Sequence, residues 1–332
     1  MQQLLVLSAA DVHALLSYSD CAEAMRHALA ALASGRAQQP LRTIIRPEGA
    51  AGLMALMPSY LTGESGFDAA YGLKAICITP ANPAAGLDTH QGVVLLSSAA
   101  TGEPVAVLNA SAVTEIRTAA VSVVATDLLA RPDADELAVI GTGVQARAHV
   151  LALDGARRLS RIRVAGRDAA RAKQFAASLT GLTDAAVTAC ASAQEAVAGA
   201  GIIVTVTSSA QPVLNRDWIA PGAHINAVGA CLPHQRELDT ATVAAAVLFA
   251  DRRDSLLTES GDYRLAAAEG AVTESQVRAE LGELLLGTAT GRASAEEITV
   301  FESLGLAIED LAAASRVYHL AAESGAGTRI DF

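Results

Sequence analysis

Residues 137–146 read LAVIGTGVQA, and this stretch decides how the chain folds. Its first four residues form a short apolar run typical of a buried parallel strand, and a turn with glycines at Gly141 and Gly143 follows. Residues 146–153 then have the pattern of a helix. A strand, a G-x-G-x-x-A turn and a helix in this order predict a dinucleotide-binding loop, because the N-terminus of the helix favours phosphate charge. An ordinary glycine turn between a strand and a helix is the alternative.

Short apolar runs and helical patterns alternate after this loop, as they do in a doubly wound parallel sheet. We predict strands over 162–165, 186–189, 202–205, 225–228 and 247–250, and helices over 169–179, 193–198 and 308–322. Between residues 41 and 108 the pattern differs, since strand-like runs separated by turn residues come before a helix over 112–129. The sequence therefore predicts an α/β fold, in which a Rossmann doubly wound parallel sheet follows a separate unit.

The composition limits the class of protein. With 332 residues the chain is long enough for two domains, and its 35 acidic against 24 basic residues give a net charge of −11. Such a surface repels nucleic acid and anionic lipid, and no apolar run approaches the ~18 residues of a membrane span. The four cysteines have no spacing typical of metal or redox sites. We therefore expect a cytoplasmic enzyme without a metal, a nucleic-acid partner or a membrane partner.

Lysine is nearly absent from this chain, which makes the position of Lys74 informative. Of the 24 basic residues, only Lys74 and Lys173 are lysines. Lys74 lies in the apolar, strand-like run 71–78, where a charge is expensive to bury, whereas Lys173 lies on a polar helix face. A site that needs a deprotonatable amine cannot use arginine instead, because a guanidinium does not give up its proton. We predict that Lys74 is catalytic; a strand-edge lysine that reaches solvent is the alternative.

Two arginines are candidates to act with Lys74. Arg42 follows Pro40 at the start of a strand predicted over 42–45, and Arg117 lies on the helix that leads into the nucleotide-binding unit. Because guanidinium groups bind carboxylates through two parallel hydrogen bonds, two arginines and a lysine would suit an anionic substrate. Spacing alone does not show that the three residues converge. Taken singly, Arg42 and Arg117 also fit surface or helix-pairing roles.

A series of motifs in fixed order resembles the ornithine cyclodeaminase/mu-crystallin family. The motifs are QPLRT at 39–43, GLK at 72–74, IRTAA at 116–120, GTGVQA at 141–146, PGAHINAVGA at 221–230, RELD at 236–239, ESGD at 259–262 and FESLGLAIED at 301–310. The resemblance implies a Rossmann NAD(P)-binding domain over 121–310, inserted into an α+β substrate-binding and dimerisation domain over 1–120 plus 311–332. It also implies a homodimer.

Departures from the cyclodeaminase pattern of this family favour a reductase. Cyclodeaminases carry an aspartate where this chain has Cys231 and a glutamate where it has Ala55. Those carboxylates would handle the amines of ornithine, and a cyclic imine needs neither. The resemblance therefore implies NAD(P)H-dependent reduction of Δ1-pyrroline-2-carboxylate or Δ1-piperideine-2-carboxylate to L-proline or L-pipecolate. Ornithine cyclodeamination, an alanine dehydrogenase-like reaction and non-catalytic binding of NADPH with a small ligand are the alternatives.

Together, the residues and the resemblance predict individual roles. Lys74 would supply the proton at the imine nitrogen, Arg42 and Arg117 would hold the substrate carboxylate, and His90 and Cys231 would line the substrate pocket. The predicted cofactor-binding residues are Thr118, Gly141, Gly143, Val144, Gln145, Arg167, Arg171, Thr205, Thr207, Val228, Ser303 and Leu304.

The end of the second Rossmann strand favours one form of the cofactor. NAD enzymes usually carry an acidic residue there for the ribose 2′-hydroxyl, whereas an arginine suits a 2′-phosphate. In this chain Gly166 takes that position, Arg167 follows it, and Arg171 lies one turn further on. NADP(H) is therefore favoured over NAD(H), unless Asp168 turns inward and takes the acidic role.

Overall fold

The computed structural model describes residues 3–63 and 68–332, and the chain divides into two compact units. Unit 1 comprises Met1–Arg117 and Leu306–Phe332, and unit 2 comprises Thr118–Gly305. The chain leaves unit 1 within helix α3 (Ala110–Leu129). The boundaries lie a few residues before the expected ones, which fall after residues 120 and 310. As a result, the whole final helix belongs to unit 1, and Arg117 is the last residue of the first segment of this unit.

Unit 2, which the structure describes throughout, is built on a sheet of eight parallel strands. They are β8 (Glu136–Ile140), β9 (Arg161–Ala165), β10 (Ala186–Ala189), β11 (Ile202–Thr205), β12 (His224–Ala227), β13 (Val247–Ala250), β14 (Val277–Glu280) and β15 (Thr299–Glu302). Across the sheet their order is β10-β9-β8-β11-β12-β15-β13-β14. The strand order reverses between β8 and β11, the place where doubly wound sheets bind their ligands. The predicted α/β fold is confirmed.

The helices of unit 2 connect these strands. They are α4 (Val144–Arg157), α5 (Ala169–Ser178), α6 (Ala193–Val197), α7 (Thr240–Ala245), α8 (Arg253–Glu259), α9 (Gly261–Ala268) and α10 (Leu281–Leu285), besides the part of α3 after Arg117. All four residues of β11 are buried. This burial explains why the central strands read as continuous apolar runs, since a parallel sheet is covered on both faces.

Unit 1, over residues 3–63, 68–117 and 306–332, consists of a mixed sheet and packed helices. Its strands are β1 (Gln3–Leu7), β2 (Ala37–Gln38), β3 (Thr43–Ile45), β4 (Leu53–Leu61), β5 (Ala70–Ile78), β6 (His90–Ser98), β7 (Pro104–Asn109) and β16 (Thr328–Asp331). Its helices are α1 (Ala9–Leu15), α2 (Tyr18–Ala33), the start of α3, and α11 (Ala307–Ser324). The strand order is β16-β1-β7-β6-β5-β4-β2, with β3 also paired to β4. The parallel pair β1–β7 is joined to antiparallel pairs on either side.

The strands of unit 1 alternate between a covered and a partly exposed face, as the two-residue period of a strand requires. On the covered face, Leu7, Met57, Val94 and Leu108 are buried. Helix α11 packs against β4, β5, β6 and α2. Lys74 lies on this covered face, in register with Met57 and Val94.

Candidate active site

Lys74 is the charged member of an otherwise apolar row across the covered face of unit 1. It lies opposite Met57 of β4 and Val94 of β6, and only 3% of its surface is exposed. Lys74 is therefore not a strand-edge lysine that reaches solvent. Because a buried ammonium is costly without a partner, its neighbours decide what it can do.

Four buried charged side chains form one cluster, which we call the ion quartet: Lys74, Arg117, Glu309 and Asp310. The Nζ atom of Lys74 is 2.6 Å from Oδ2 of Asp310. Arg117 donates a hydrogen bond through Nε to Oδ1 of Asp310 and another through Nη1 to Oε2 of Glu309, both at 3.0 Å. Asp310 thus bridges the two cations, and the four charges of the quartet sum to zero.

The first turn of α11 holds the two carboxylates in place. Oε2 of Glu309 accepts a hydrogen bond from the backbone N–H of Leu306 at 3.2 Å. The side chain of Gln39 accepts another from the backbone N–H of Ile308 at 2.8 Å. Negative side chains in a first turn are also favoured by the helix dipole. The quartet therefore rests on a fixed helix N-terminus.

From the sequence alone, Glu309 and Asp310 receive no role, although both end the FESLGLAIED motif. The signal was present, since two adjacent carboxylates begin a helix whose following residues, 311–314, are all apolar. Both carboxylates are at most 1% exposed. Buried carboxylates need cationic or hydrogen-bonding partners, so the motif implied a pair of cations elsewhere in the chain.

The electrostatic environment of Lys74 involves its burial and three neighbouring charges. Burial lowers the pKa of Lys74 to about 8; Asp310 opposes this effect by stabilising the ammonium, and Arg117 and then Arg42 lower the pKa further. Arg42, half-buried just before β3, therefore lies within electrostatic range of Lys74. Although His90 is exposed at the start of β6, partial desolvation and the charges of Lys74 and Arg117 lower its pKa, so this imidazole is neutral near pH 7.

Cys231, the other predicted substrate residue, belongs to unit 2. It is half-buried against the apolar core of that unit, and its Sγ atom is 4.0 Å from Oε1 of Gln235. Its place in a substrate pocket stays a prediction, as do the roles of Arg42, Lys74 and His90.

The loop at residues 141–143 fits a dinucleotide pyrophosphate. Gly141 has φ +139°, and a Cβ atom there would lie 2.7 Å from the carbonyl oxygen of Val206, so only glycine fits. At Gly143 a Cβ would meet no atom within 4 Å, which leaves open space next to the backbone. Helix α4 starts at Val144 without a side-chain cap. Its first N–H groups are therefore suited to bind phosphate oxygens.

Several predicted cofactor residues lie at the carboxyl ends of the parallel strands. Thr205 ends β11, Val228 follows β12, and Ser303 and Leu304 follow β15. Ligands of doubly wound sheets bind outside these strand ends. The remaining predicted residues are Thr118 on α3, Gln145 on α4, Thr207 beyond β11, and Arg167 and Arg171 at the start of α5.

Buried carboxylates to which the sequence assigns no role hold two of these loops. Glu237 accepts hydrogen bonds from the backbone N–H groups of Thr207 at 2.5 Å and Gly229 at 2.7 Å. Asp251 accepts one from the backbone N–H of Leu304 at 2.8 Å. Each carboxylate accepts hydrogen bonds that the loop N–H groups would otherwise donate to water. These bonds fix the backbone around the predicted cofactor residues.

Over 3–63 and 68–332, no group of three or more His, Cys, Asp or Glu side chains is arranged to hold a metal ion. Within the same ranges, no helix is long and apolar enough to cross a membrane.

Comparison with known proteins identifies the relatives of this chain. The model of the ornithine cyclodeaminase/mu-crystallin family matches residues 2–325. The ketimine reductase mu-crystallin of Mus musculus is 39% identical over 284 residues, which cover 86% of this chain and 85% of the relative.

Two solved structures share the fold. Δ1-pyrroline-2-carboxylate reductase of Thermococcus litoralis, in complex with NADH and L-proline, has a TM-score of 0.94 and 37% identity, covering 98% of this chain and 100% of the other. An archaeal alanine dehydrogenase dimer with bound NAD has a TM-score of 0.93 and 31% identity and covers both chains fully. The order of motifs, the fold and these relatives agree: the chain belongs to the ornithine cyclodeaminase/mu-crystallin family.

Proposed function

We propose that this protein is an NAD(P)H-dependent reductase of a small cyclic imine carboxylate. The substrate would be Δ1-pyrroline-2-carboxylate or Δ1-piperideine-2-carboxylate, and the product L-proline or L-pipecolate. The observation that carries the proposal is the buried ammonium of Lys74, held within the ion quartet and close to Arg42. The names of the mouse relative and of the Thermococcus structure support the same reaction class.

Lys74 is the proton donor of the proposed reaction. Its ammonium transfers one proton to the ring nitrogen, which makes the neighbouring carbon a better hydride acceptor, and solvent later restores the proton. The chemistry that a dihydronicotinamide cofactor would supply when bound is the hydride for that carbon. A pKa of about 8 leaves Lys74 mostly protonated at pH 7 yet acidic enough to give up its proton.

The charges around Lys74 suit a substrate with one carboxylate. The four charges of the ion quartet cancel, and Arg42 is a further cation within electrostatic range of Lys74. Arg42 and Arg117 would hold the substrate carboxylate by charge-assisted hydrogen bonds, with neutral His90 lining the pocket. Ala55 and Cys231 stand where cyclodeaminases carry carboxylates, and the lack of those charges favours an imine over a diamine.

The decisive test is a substrate panel with the purified protein. Oxidation of NADPH and NADH is measured with both cyclic imines and with pyruvate plus ammonia, and ammonia release is measured with ornithine and catalytic NAD. Turnover of a cyclic imine supports the proposal. Ammonia release from ornithine without imine turnover would identify a cyclodeaminase, and tight binding without turnover would identify a binding protein.

We further propose that NADPH is preferred to NADH. Asp168 caps helix α5, accepting hydrogen bonds from the backbone N–H groups of Ala170 at 2.8 Å and Arg171 at 3.2 Å. Because its carboxylate already accepts these helix-capping hydrogen bonds, we infer that Asp168 does not bind the ribose 2′-hydroxyl. Arg167 and Arg171 are both exposed beside it and are suited to a 2′-phosphate.

Replacing Arg167 with alanine is expected to lower kcat/KM for NADPH by about 10- to 100-fold, because a charge-assisted hydrogen bond to phosphate is lost. The value for NADH should change by less than about threefold. Lys173→Ala is the matched control, since it removes an exposed cation from α5, the helix that follows Arg167. Equal losses with both cofactors would contradict the assignment.

We propose that the partly exposed face of the unit 1 sheet binds a second copy of the chain. Val6, Pro58, Leu73, Leu95 and Val107 form one row of paired neighbours across five strands. None of the five is fully buried, and a continuous apolar row of this kind marks an interaction surface. The archaeal alanine dehydrogenase that shares the fold is a dimer.

Leu95→Asp is expected to convert the dimer to a monomer, raising the dimer Kd by about 100-fold or more, because two carboxylates would enter the apolar interface. Light scattering coupled to size-exclusion chromatography measures the mass. Leu182→Asp, at an exposed leucine of unit 2, is the control that should leave the mass unchanged. A Leu95→Asp protein with the native mass at low concentration would rule out this face.

A further inference from the structure

We propose that Asp310 is a positioning residue for the reduction: its carboxylate fixes the ammonium of Lys74 against the guanidinium of Arg117, so that both act on the substrate from one defined geometry. This inference rests on the function proposed above. It adds a residue from the last helix of the chain to a site that the sequence assigns to Arg42, Lys74 and Arg117.

Each of the two carboxylate oxygens of Asp310 contacts a different cation. Oδ2 lies 2.6 Å from Nζ of Lys74, and Oδ1 lies 3.0 Å from Nε of Arg117. Because a carboxylate is planar, these two contacts set the distance and direction between the ammonium and the guanidinium. Lysine has four flexible side-chain bonds, so an ammonium without such a partner would not be held in place.

The backbone around Asp310 is itself held close to the strand that carries Lys74. A Cβ atom at Gly72 would lie 3.0 Å from Cβ and Cδ1 of Leu311, the residue after Asp310. Helix α11 can therefore approach β5 this closely because position 72 has no side chain. The glycine of the GLK motif, Gly72, thus lets the first turn of α11 come close enough for Asp310 to contact Lys74.

The charges that face Lys74 show why the carboxylate matters. Besides the quartet itself, the described titratable or charged side chains that interact electrostatically with its members include Cys21 on α2, Arg42 before β3 and His90 on β6. Arg42 and Arg117 disfavour the ammonium, His90 is neutral, and burial raises the pKa of the Cys21 thiol, so it stays protonated. Glu309 pairs with Arg117. Asp310 is the carboxylate in direct contact with the ammonium.

The scarcity of lysine makes a direct test possible. In protein labelled with 13C-lysine, only Lys74 and exposed Lys173 contribute side-chain signals, and Lys173→Arg assigns them. In Asp310→Asn, the pKa of Lys74 should fall by about 1 to 3 pH units, because the opposite charge is lost. In the control Glu309→Gln, it should change by less than about half a unit, since Glu309 contacts Arg117 instead. An unchanged Lys74 titration in folded Asp310→Asn would overturn the proposal.

A second variant separates position from charge. Asp310→Glu keeps the negative charge but moves it by one methylene, so the Lys74 titration should stay near that of the wild type while kcat falls about tenfold or more. Wild-type kcat in Asp310→Glu would also overturn the proposal, and this variant answers the question if Asp310→Asn does not fold. If no cyclic imine is reduced at all, the proposed function fails, whereas the lysine titrations still show whether Asp310 controls Lys74.

Discussion

Lys74→Ala is expected to lower kcat/KM for the cyclic imine by about 100- to 10,000-fold, the range that a positioned general acid contributes. Lys74→Arg should restore little activity, because a guanidinium keeps its proton. Lys173→Ala, at the other lysine of the chain, should have wild-type rates. Steady-state assays with saturating NADPH measure all three variants. Near-normal turnover by Lys74→Ala would remove Lys74 from the reaction.

The pH profile supplies an independent check of the proton's origin. A lysine with a pKa of about 8 is charged below that pH, so kcat/KM of the wild type should be high below pH 8 and fall about tenfold per pH unit above it. This falling limb should be absent from the residual activity of Lys74→Ala. An N-methylated cyclic iminium carboxylate needs no proton, so Lys74→Ala should reduce it with a much smaller loss.

The importance of Lys74 could be predicted because a charged amine is unexpected within an apolar strand. A chain that uses arginine almost everywhere retains a lysine within an apolar strand, and the structure places that residue on the buried face of β5. The glycine loop was equally informative. Only glycine fits the positive φ at Gly141, and the missing side chain of Gly143 leaves the backbone there accessible. Both features are local, and local patterns are what a sequence displays.

Asp310 and Glu309 could not be assigned in this way because their partners are distant in the chain. Asp310 contacts Arg117 across 193 residues, and no spacing rule connects a helix turn with another helix so far away. Strands β14 and β15 were not predicted either. Each has four residues, and an alternation as short as that of Val277–Glu280 in β14 does not mark a strand by itself. Such elements are specified by the sheet they join rather than by their own pattern.

Arg117→Met is expected to lower the free energy of unfolding by about 3–5 kcal/mol, the cost of breaking a buried ion pair by removing one partner. The methionine would leave Glu309 and Asp310 buried with Lys74 as the remaining cation of the quartet. Urea unfolding followed by circular dichroism measures the change. Arg316→Met is the matched control: Arg316 lies on α11 and contacts Asp20 at 3.0 Å, but both side chains are over a third exposed, so the loss should be at most about 1 kcal/mol.

The double variant Arg117→Met/Glu309→Gln separates the structural role of Arg117 from its role in binding substrate. It removes one positive and one negative charge, so Lys74 and Asp310 remain as a balanced pair, and much of the lost stability should return. The substrate carboxylate would still lack one guanidinium, and KM for the cyclic imine should stay raised by about tenfold or more. Recovery of KM together with stability would mean that Arg117 only organises the quartet, and that Arg42 alone holds the carboxylate.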